Sequence, residues 1–185
     1  MNCNIADLQD ITFDCDALYT GGLKRVYITQ VGDFNVVDPL TGADDSIAAA
    51  DVITPPAVGE VVSFEFNLRD AFSNFTDVTT NNADGTSTTV PTISLEFPRM
   101  DAAKRSALDA ISKPGISLAA AVETAAGTYH LIGAEFGLYA SSIDGASGTQ
   151  RSEKNRYQLT LVGDENTLSL NFQDAAAFDA FVTNA

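Results

Sequence analysis

Residues 127–172 read GTYHLIGAEFGLYASSIDGASGTQRSEKNRYQLTLVGDENTLSLNF, and this stretch decides the fold class. Between 128 and 140 the apolar residues fall mostly on even positions, which is the two-residue period of a β-strand. The same alternation returns twice further on, in residues 156–162 and 168–172. Two clusters of glycines and small polar residues, the first at 144–148, separate the runs and supply backbone angles suited to chain reversal. The stretch therefore predicts three consecutive antiparallel strands.

Two more alternating runs lie on either side of a polar tract and indicate a hairpin. Residues 60–68 alternate apolar with polar side chains, and residues 92–97 do so again. The tract between them is rich in Thr and Asn and contains Asp84-Gly85, a strong signal for a tight β-turn. We therefore predict one extended hairpin over residues 60–98.

The polar tip of this hairpin is the candidate contact with a neighbouring subunit. It extends beyond what a single core covers, and an extended hairpin is stable only when it packs on something else. The predicted inter-subunit tip residues are Asn81, Asn82, Asp84 and Gly85. The composition of residues 77–90 also fits a disordered surface loop, and that alternative stays open.

Helical spacing replaces strand alternation in two segments. Residues 101–112 place their apolar side chains on one stripe, and Asp101 lies at the end where the helix dipole favours a carboxylate. The Lys-Pro-Gly sequence at 113–115 then ends the helix. Residues 173–183 predict a short C-terminal helix that packs on the sheet, whereas residues 46–52 fit either a short helix or a surface loop.

The chain as a whole reads as one β-rich domain preceded by an arm. Residues 1–22 have no clean period and are predicted to be an N-terminal arm, while residues 23–31 form the first strand of a domain that runs to 185. The fold class is mainly β with some α: an antiparallel β-sandwich or barrel of six to seven strands, one or two short helices and the extended hairpin.

Charge excludes one broad class of function. The chain carries 25 acidic and 10 basic side chains, which gives a formal net charge of −15. A nucleic-acid-binding surface needs clustered Lys and Arg, so specific DNA binding is not expected. Residues 1–98 hold 15 acids and 3 bases, and residues 99–185 hold 10 acids and 7 bases, so their net charges are −12 and −3. Acidic and near-neutral surfaces would meet if copies associated head to tail, although acidity also serves solubility alone.

The two cysteines and the N-terminus indicate a protein made in a cytoplasm. Cys3 and Cys15 lack the paired spacing and accompanying histidines of a zinc site, so they are interpreted as reduced thiols, with a disulfide as the alternative. No basic residue precedes Lys24, and no apolar run has the length of a signal peptide or a membrane span. We expect neither a secretion signal nor contact with a membrane.

No residue pattern predicts catalysis. His130 is the sole histidine, has no nucleophile motif beside it and is interpreted as a structural residue. Glu123 and Glu135 fall on neighbouring predicted strands and are the available paired carboxylates, but nothing fixes their separation. The glycines at 145–148 lack the residues of a phosphate-binding loop. The chain is predicted not to be an enzyme, with no catalytic or cofactor-binding residue.

Metal binding is not predicted either. Asp14 with Asp16, or Asp44 with Asp45, offer the oxygen ligands that Ca²⁺ prefers. The spacing of an EF-hand is absent from both pairs, so they are interpreted as solvated acidic loops and no metal ligand is predicted.

The order of these elements resembles that of the tail tube proteins of tailed bacteriophages and related injection tubes. The resemblance covers roughly residues 60–170 and rests on the hairpin, the helix and the run YHLIGAEFGL at 129–138. The sequence YQLTLVGDE at 157–165 is similar to the penultimate strand and turn of small phage virion proteins. The match is architectural, and residues 1–59 lie outside it.

The resemblance implies a virion structural protein of the tail or neck. Such subunits commonly form hexameric rings in which strands from neighbouring copies continue one sheet around a channel, and the rings stack. The hairpin tip would reach the next ring, other virion proteins would be partners, and an acidic wall would let DNA pass without holding it.

Other functions remain open at this point. A neck, ring, hub or capsid-decorating virion protein would share the fold. A β-sandwich module that binds carbohydrate or a host surface receptor belongs to a different class and would use Tyr129, Tyr139 and Tyr157 as an exposed aromatic platform. An enzyme is the third alternative.

Overall fold

The elements of the chain are taken from a computed structural model that describes residues 21–36, 46–57, 61–65, 73–83, 85–148, 153 and 155–183. Within them the strands are β1 (Leu23–Gln30), β2 (Asn35–Val36), β3 (Val52–Thr54), β4 (Val62–Glu65), β5 (Asn74–Asn81), β6 (Ser87–Pro98), β7 (Leu118–Thr124), β8 (Tyr129–Ile132), β9 (Leu138–Ala146), β10 (Arg156–Gly163) and β11 (Leu170–Asn171). The helices are α1 (Ala102–Ile111) and α2 (Ala175–Phe181), and Ala49–Asp51 form one 3-10 turn.

Nine of these strands form two packed layers. All nine belong to one hydrogen-bonded sheet. Its first layer, which we call the first sheet, has the order β4-β1-β7-β8-β11, and its second layer, the second sheet, has the order β9-β10-β6-β5. Strands β2 and β3 form a separate ribbon. A single residue pair, Leu118 with Leu138, joins the layers. The fold is therefore mainly β and antiparallel, as predicted, and it is a sandwich rather than a closed barrel. It has more strands than the six or seven expected because several are only two to four residues long.

The core lies between the two sheets. Val26 of β1 and Val122 of β7 face Leu95 of β6 and Leu159 of β10, and all four are fully buried. Helix α1 adds Leu108 and Ile111 to the same cluster. Since alternate residues of a strand point to opposite faces, the intervening residues of both sheets face outward.

Helix α2 covers the outer face of the first sheet. The side chain of Asp174 accepts a hydrogen bond from the N–H of Ala177 at 2.8 Å and so caps the helix at its start. Phe178 and Phe181 are fully buried in a second apolar cluster, together with Leu131 of β8. The predicted C-terminal helix is confirmed, and it seals this face with aromatic side chains.

Helix α1 is also confirmed, with bounds one residue inside those expected at each end. Asp101 is its N-cap and accepts a hydrogen bond from the N–H of Lys104 at 2.9 Å. The Lys104 side chain returns an ion pair to Asp101 at 2.9 Å. The residues that the sequence placed at the start of the helix thus satisfy its free N–H groups.

The hairpin predicted over residues 60–98 is wrong at its first strand. β4 pairs with β1, in the register Val62 to Ile28, and the strand that pairs with β6 is β5. The hairpin therefore begins at Asn74. Alternation in residues 60–68 identified a strand correctly but not its partner, because a period of two is the same for every neighbour.

The single strand predicted over residues 128–140 is also wrong. The chain forms β8, a turn over residues 133–137 and then β9, which moves from the first sheet to the second. Gly133 and Gly137 take positive φ angles of +73° and +88°, and a Cβ at Gly133 would lie 2.6 Å from the Leu138 Cγ. These glycines therefore serve a change of layer rather than the pleat of one strand.

The remaining predictions differ in outcome. β9 and β10 form the expected antiparallel pair, but β9 continues to Ala146, into the predicted turn. Of the strand expected at 168–172, β11 contains two residues and Phe172 forms a single bridge with Ile47. Residues 46–52 contain a 3-10 turn in place of a helix. The predictions for residues 1–20, with both cysteines and Asp14 and Asp16, and for Asp44 and Asp45, lie outside the described residues.

Candidate functional site

The outer edge of β9 is one of two long free strand edges among the described residues, and the other is the outer edge of β5, which pairs only with β6. On one side β9 pairs with β10 from Leu138 to Ala146, and on the other side the only residue with a partner is Leu138. A bulge at Ser141 interrupts the strand, which leaves residues 142–146 as a regular free edge. These five residues contain neither Lys nor Pro, the residues that commonly protect strand edges. We call residues 142–146 the β9 edge.

The predicted hairpin tip lies at the far end of β5 and β6. Asn81 is the last residue of β5 and pairs with Ser87, and Asn82 donates its backbone N–H to the Thr86 oxygen at 2.8 Å. Gly85 closes the turn with φ of +85° and donates its N–H to the Asn82 oxygen at 3.1 Å. The fourth predicted tip residue, Asp84, lies outside the described residues.

The hairpin projects less than the sequence suggested, because its lower half is bound to the rest of the domain. Thr89 of β6 exchanges two backbone hydrogen bonds with Glu165, at 2.8 and 2.9 Å. On β5, the Asp77 carboxylate accepts hydrogen bonds from the Ser169 N–H, at 3.1 Å, and from its hydroxyl. Only the segment from Thr80 to Thr88 extends past these contacts.

The outer face of the second sheet has no helix over it among the described residues and is built mainly from Thr, Ser and Val. Cross-strand partners share a face, so the register of β5, β6, β10 and β9 defines its members. They are Asn74, Thr76, Val78 and Thr80 on β5, Thr88, Val90, Thr92 and Ser94 on β6, Thr160 and Val162 on β10, and Tyr139 and Ser142 on β9. We call these twelve residues the threonine-rich face.

On the outer face of the second sheet, charged residues lie at one end only. Beyond Ser94, the next rows hold Asp144 and the ion pair between Arg156 and Glu96. The Glu96 side chain is only 7% exposed, so its charge is compensated within the rim of the sheet. The threonine-rich face itself contains no Asp, Glu, Lys or Arg.

A buried acid on the first sheet is paired with two cations. The Glu123 carboxylate lies 2.6 Å from the Lys24 Nζ and also binds the Arg25 guanidinium. Burial acts to raise the pKa of Glu123, but the hydrogen bonds from Lys24 and Arg25 outweigh it and hold the pKa below its usual range. These ion pairs connect β1 to β7, and they leave Glu123 unsuited to act as a general base.

Glu165 is a structural residue that sequence reasoning missed. Its carboxylate accepts hydrogen bonds from three consecutive N–H groups in the turn between β8 and β9: Glu135 at 3.1 Å, Phe136 at 3.2 Å and Gly137 at 3.1 Å. Together with its backbone pairing to Thr89, these bonds connect the turn, the hairpin and the segment after β10. We call this arrangement the Glu165 clip.

No local sequence pattern predicts the Glu165 clip. Residues 163–166 carry an ordinary turn signal, and the acceptor role of Glu165 depends on a turn about 30 residues earlier in the chain. The proposed carboxylate pair is not formed either. Glu123 binds Lys24 and Arg25 beside the end of β7, whereas Glu135 accepts a hydrogen bond from the Asn166 side chain at 2.6 Å in the turn beyond the other end of that strand.

His130 lies in a half-buried position on β8. Its Nε2 is 3.0 Å from the Thr128 hydroxyl, and its ring centroid is 5.0 Å from that of Phe75. Burial lowers the pKa of His130, although a hydrogen bond with Asn171 and the charge of Asp77 oppose this effect. The hydrogen bond with Asn171 links His130 on β8 to the neighbouring strand β11. Among the described residues, His130 does not share an open pocket with a second titratable group.

The three tyrosines of the alternative binding site are not brought together. Tyr129 packs on Phe178, with ring centroids 4.9 Å apart, and Tyr157 packs against the core between the sheets. Tyr139 alone is mostly exposed, at 54%. An aromatic platform of these three residues is therefore not present.

A groove of about 460 Å³ lies beside the Glu165 clip, lined mostly by apolar side chains such as Phe34, Leu131 and Leu168. Its only carboxylates, Glu135 and Glu165, already accept hydrogen bonds from the protein. Across the described ranges no three His, Cys, Asp or Glu residues are grouped to hold a metal ion. In the same ranges no helix is long and apolar enough to cross a membrane.

Over the described residues, fold and surfaces together define a class: a helix-covered antiparallel β-sandwich with a second sheet that no helix covers and with free strand edges at β9 and β5. No protein-family model, curated protein or solved structure matches the chain.

Proposed function

We propose that this chain is a structural subunit that assembles with copies of itself, of the kind that forms the tail tube of tailed phages. In this proposal, copies close into rings, commonly hexameric, and stacked rings enclose a channel through which DNA passes transiently. The subunit resides in the virion tail or neck, contacts other virion proteins there and has no enzymatic role.

The observation that carries the proposal is the β9 edge. A regular strand edge of five residues is close to the usual length of a strand, and it presents N–H and C=O groups that another strand can pair with. An identical subunit supplies such a strand at every position around a ring, so the β9 edge of every copy is paired.

The hairpin tip supports the stacking of rings. The segment from Thr80 to Thr88 extends beyond the contacts at Thr89 and Asp77, and its strands are exposed. Replacing residues 81–87 by a two-residue Asn-Gly turn would shorten the tip and leave both contacts in place. We expect this variant to form rings but shorter stacks.

The main test is assembly of the purified protein and of an edge variant. We expect the wild type to form rings or tubes, visible by negative-stain microscopy and by light scattering coupled to size exclusion. Asp144→Lys puts a lysine, the charged residue that most often protects strand edges, in the middle of the β9 edge. This variant should need at least about tenfold more protein to assemble, equivalent to about 1.4 kcal/mol.

Asp109→Lys is the matched control, because Asp109 is exposed on α1 and the change in charge is the same. Both variants lower the net negative charge, so general repulsion between copies falls in both. Loss of assembly in Asp144→Lys alone therefore identifies the edge. A wild type that stays monomeric at high concentration in several salts would refute the proposal.

Microscopy also separates the related functions within this class. A tube of stacked rings supports the tail tube assignment, whereas single closed rings favour a neck or ring component. Binding to preformed capsids without self-assembly would indicate a capsid-decorating protein.

A further inference from the structure

We infer that the threonine-rich face is a contact surface between copies of this chain, and that the contact is formed without charge pairs. The inference rests on the proposed function, because it identifies where assembling subunits meet. It concerns the face of the second sheet, whereas the β9 edge concerns the rim of the same sheet.

The first step is the absence of charge. Surfaces of soluble proteins ordinarily carry about 25–35% Lys, Arg, Glu and Asp, so about three or four ionised residues are expected among twelve positions. The threonine-rich face has none, on a chain whose net charge is −15. Copies of such a chain repel each other over most of their surface, and this face is where two of them approach at the least electrostatic cost.

The second step is the type of side chain. Val78 is 57% exposed and Tyr139 is 54% exposed, among Thr and Ser residues that have few rotamers to lose. Interface cores are depleted in charged residues and enriched in tyrosine, whereas their rims are polar. The ion pair of Arg156 with Glu96, together with Asp144, lies beside the face as such a rim.

The third step excludes other occupants. A nucleic acid needs Lys and Arg to neutralise phosphates, and the face has neither. Sugar rings bind on aromatic platforms, and Tyr139 is the only aromatic residue of the face. A second copy requires neither group, since two sheets pack face to face through interdigitated side chains.

The fourth step is size. The face spans seven residues on β5 and on β6, three on β10 and four on β9. With strands about 4.8 Å apart and a rise of about 3.3 Å per residue, it covers roughly 330 Å² in projection. A standard interface buries about 800 Å² on each partner, so the face alone supports only a weak contact. The β9 edge borders the face directly, and Ser142 belongs to both.

The experiment places charges of both signs on the face. Thr92→Lys and Thr92→Glu change the row that also holds Thr76, Val162 and Tyr139. Each variant should raise the concentration needed for assembly at least about tenfold, because either charge must be desolvated in an uncharged contact. Ser106→Lys and Ser106→Glu, on the exposed side of α1, are the matched controls and should assemble like the wild type.

Circular dichroism and thermal unfolding check that the Thr92 variants are folded. If they are not, the same two substitutions at Thr76, which is exposed on β5, decide the question. Assembly of the folded variants at wild-type concentrations overturns the inference and leaves the proposed function standing. A wild type that never assembles overturns the proposed function and the inference with it.

Salt gives an independent readout on the wild type. Raising the ionic strength from about 0.01 M to about 1 M shortens the Debye length from about 30 Å to about 3 Å. An uncharged contact between acidic copies should then strengthen, because only their general repulsion is screened. Assembly that weakens as salt rises would show that opposite charges hold the copies together, and it would overturn the inference.

Discussion

The outer faces of the two sheets differ in what covers them. The first sheet is covered by α2, where Phe178 contacts Tyr27, Tyr129 and Phe172 at centroid distances of 4.9–5.7 Å. Among the described residues, no helix covers the threonine-rich face of the second sheet. Polar contacts such as the Glu165 clip connect this sheet to the rest of the domain. Burial of aromatics stabilises one chain, whereas a bare face of small side chains leaves a surface for another chain. The experiments below test that difference in order of expected size.

Truncating Phe178 should cause the largest loss of stability. Its ring is fully buried between α2 and the first sheet, and Phe→Ala changes in cores cost about 3–5 kcal/mol. We expect Phe178→Ala to lower the free energy of unfolding by that amount, measured by urea denaturation.

Tyr139→Ala is the comparison on the bare face. It removes a large side chain that is 54% exposed, so we expect a loss below about 1 kcal/mol. Equal losses at the two positions would mean that the two faces do not differ in the way described.

Removing the charge of the Glu165 clip should have the next largest effect. Glu165→Gln replaces two charged acceptors by one neutral oxygen and an NH₂ group that faces backbone donors. Hydrogen bonds to a charged group contribute about 1.5–3 kcal/mol, and we expect a loss of about 2 kcal/mol in chemical denaturation. Asp164→Asn, at the exposed neighbouring residue, should change stability by less than about 0.5 kcal/mol.

A smaller, pH-dependent effect is expected at Glu123. Its pKa in the folded chain is lower than the ordinary value of 4.5, so folding favours the charged form. Stability from this group is present above pH 4.5 and is lost as the pH falls through the lower folded pKa. Glu123→Gln should therefore be less stable than wild type at pH 7, and the difference should shrink below pH 4. A constant difference from pH 7 to pH 3 would contradict the charge pairing.

The smallest effect is expected at His130. Burial lowers its pKa below 6.5, so the unfolded chain binds the proton more readily than the folded chain. Stability from this group is present above pH 6.5 and declines as the pH falls below it. Between pH 7.5 and pH 5.5 the wild type should lose more stability than His130→Gln, as measured by thermal unfolding. Parallel curves for the two proteins would contradict this assignment.

Local sequence patterns predicted most strands and both helices, but they did not predict which strands pair with each other. Alternation identified β1, β6 and β10, and Asp101 together with the Lys-Pro-Gly stop bounded α1. The same alternation did not reveal that β4 pairs with β1, since register and partner depend on residues far along the chain. It also continued unbroken through residues 133–137, where two glycines and the Glu165 clip turn the chain into the other sheet.

The surfaces were predictable only in part. The Asp84-Gly85 signal located the hairpin turn correctly, since Gly85 has a positive φ and donates its N–H to the Asn82 oxygen. The threonine-rich face combines residues from four strands, and their common side is defined only once β5, β6, β10 and β9 are in register. A tract rich in Thr was visible in residues 76–92, but Thr160 and Tyr139 join it through pairing alone.

The pairing of β1 with β7 has a consequence for how the protein is made. Leu118 follows Gln30 by 88 residues, and at about 5–20 residues per second a ribosome needs roughly 4 to 18 s to add them. Throughout that time the nascent β1 has at most one of its two flanking strands available. Translation that stalls before Leu118 therefore yields a polypeptide in which one edge of β1 is unpaired, a form for chaperones or proteases to recognise.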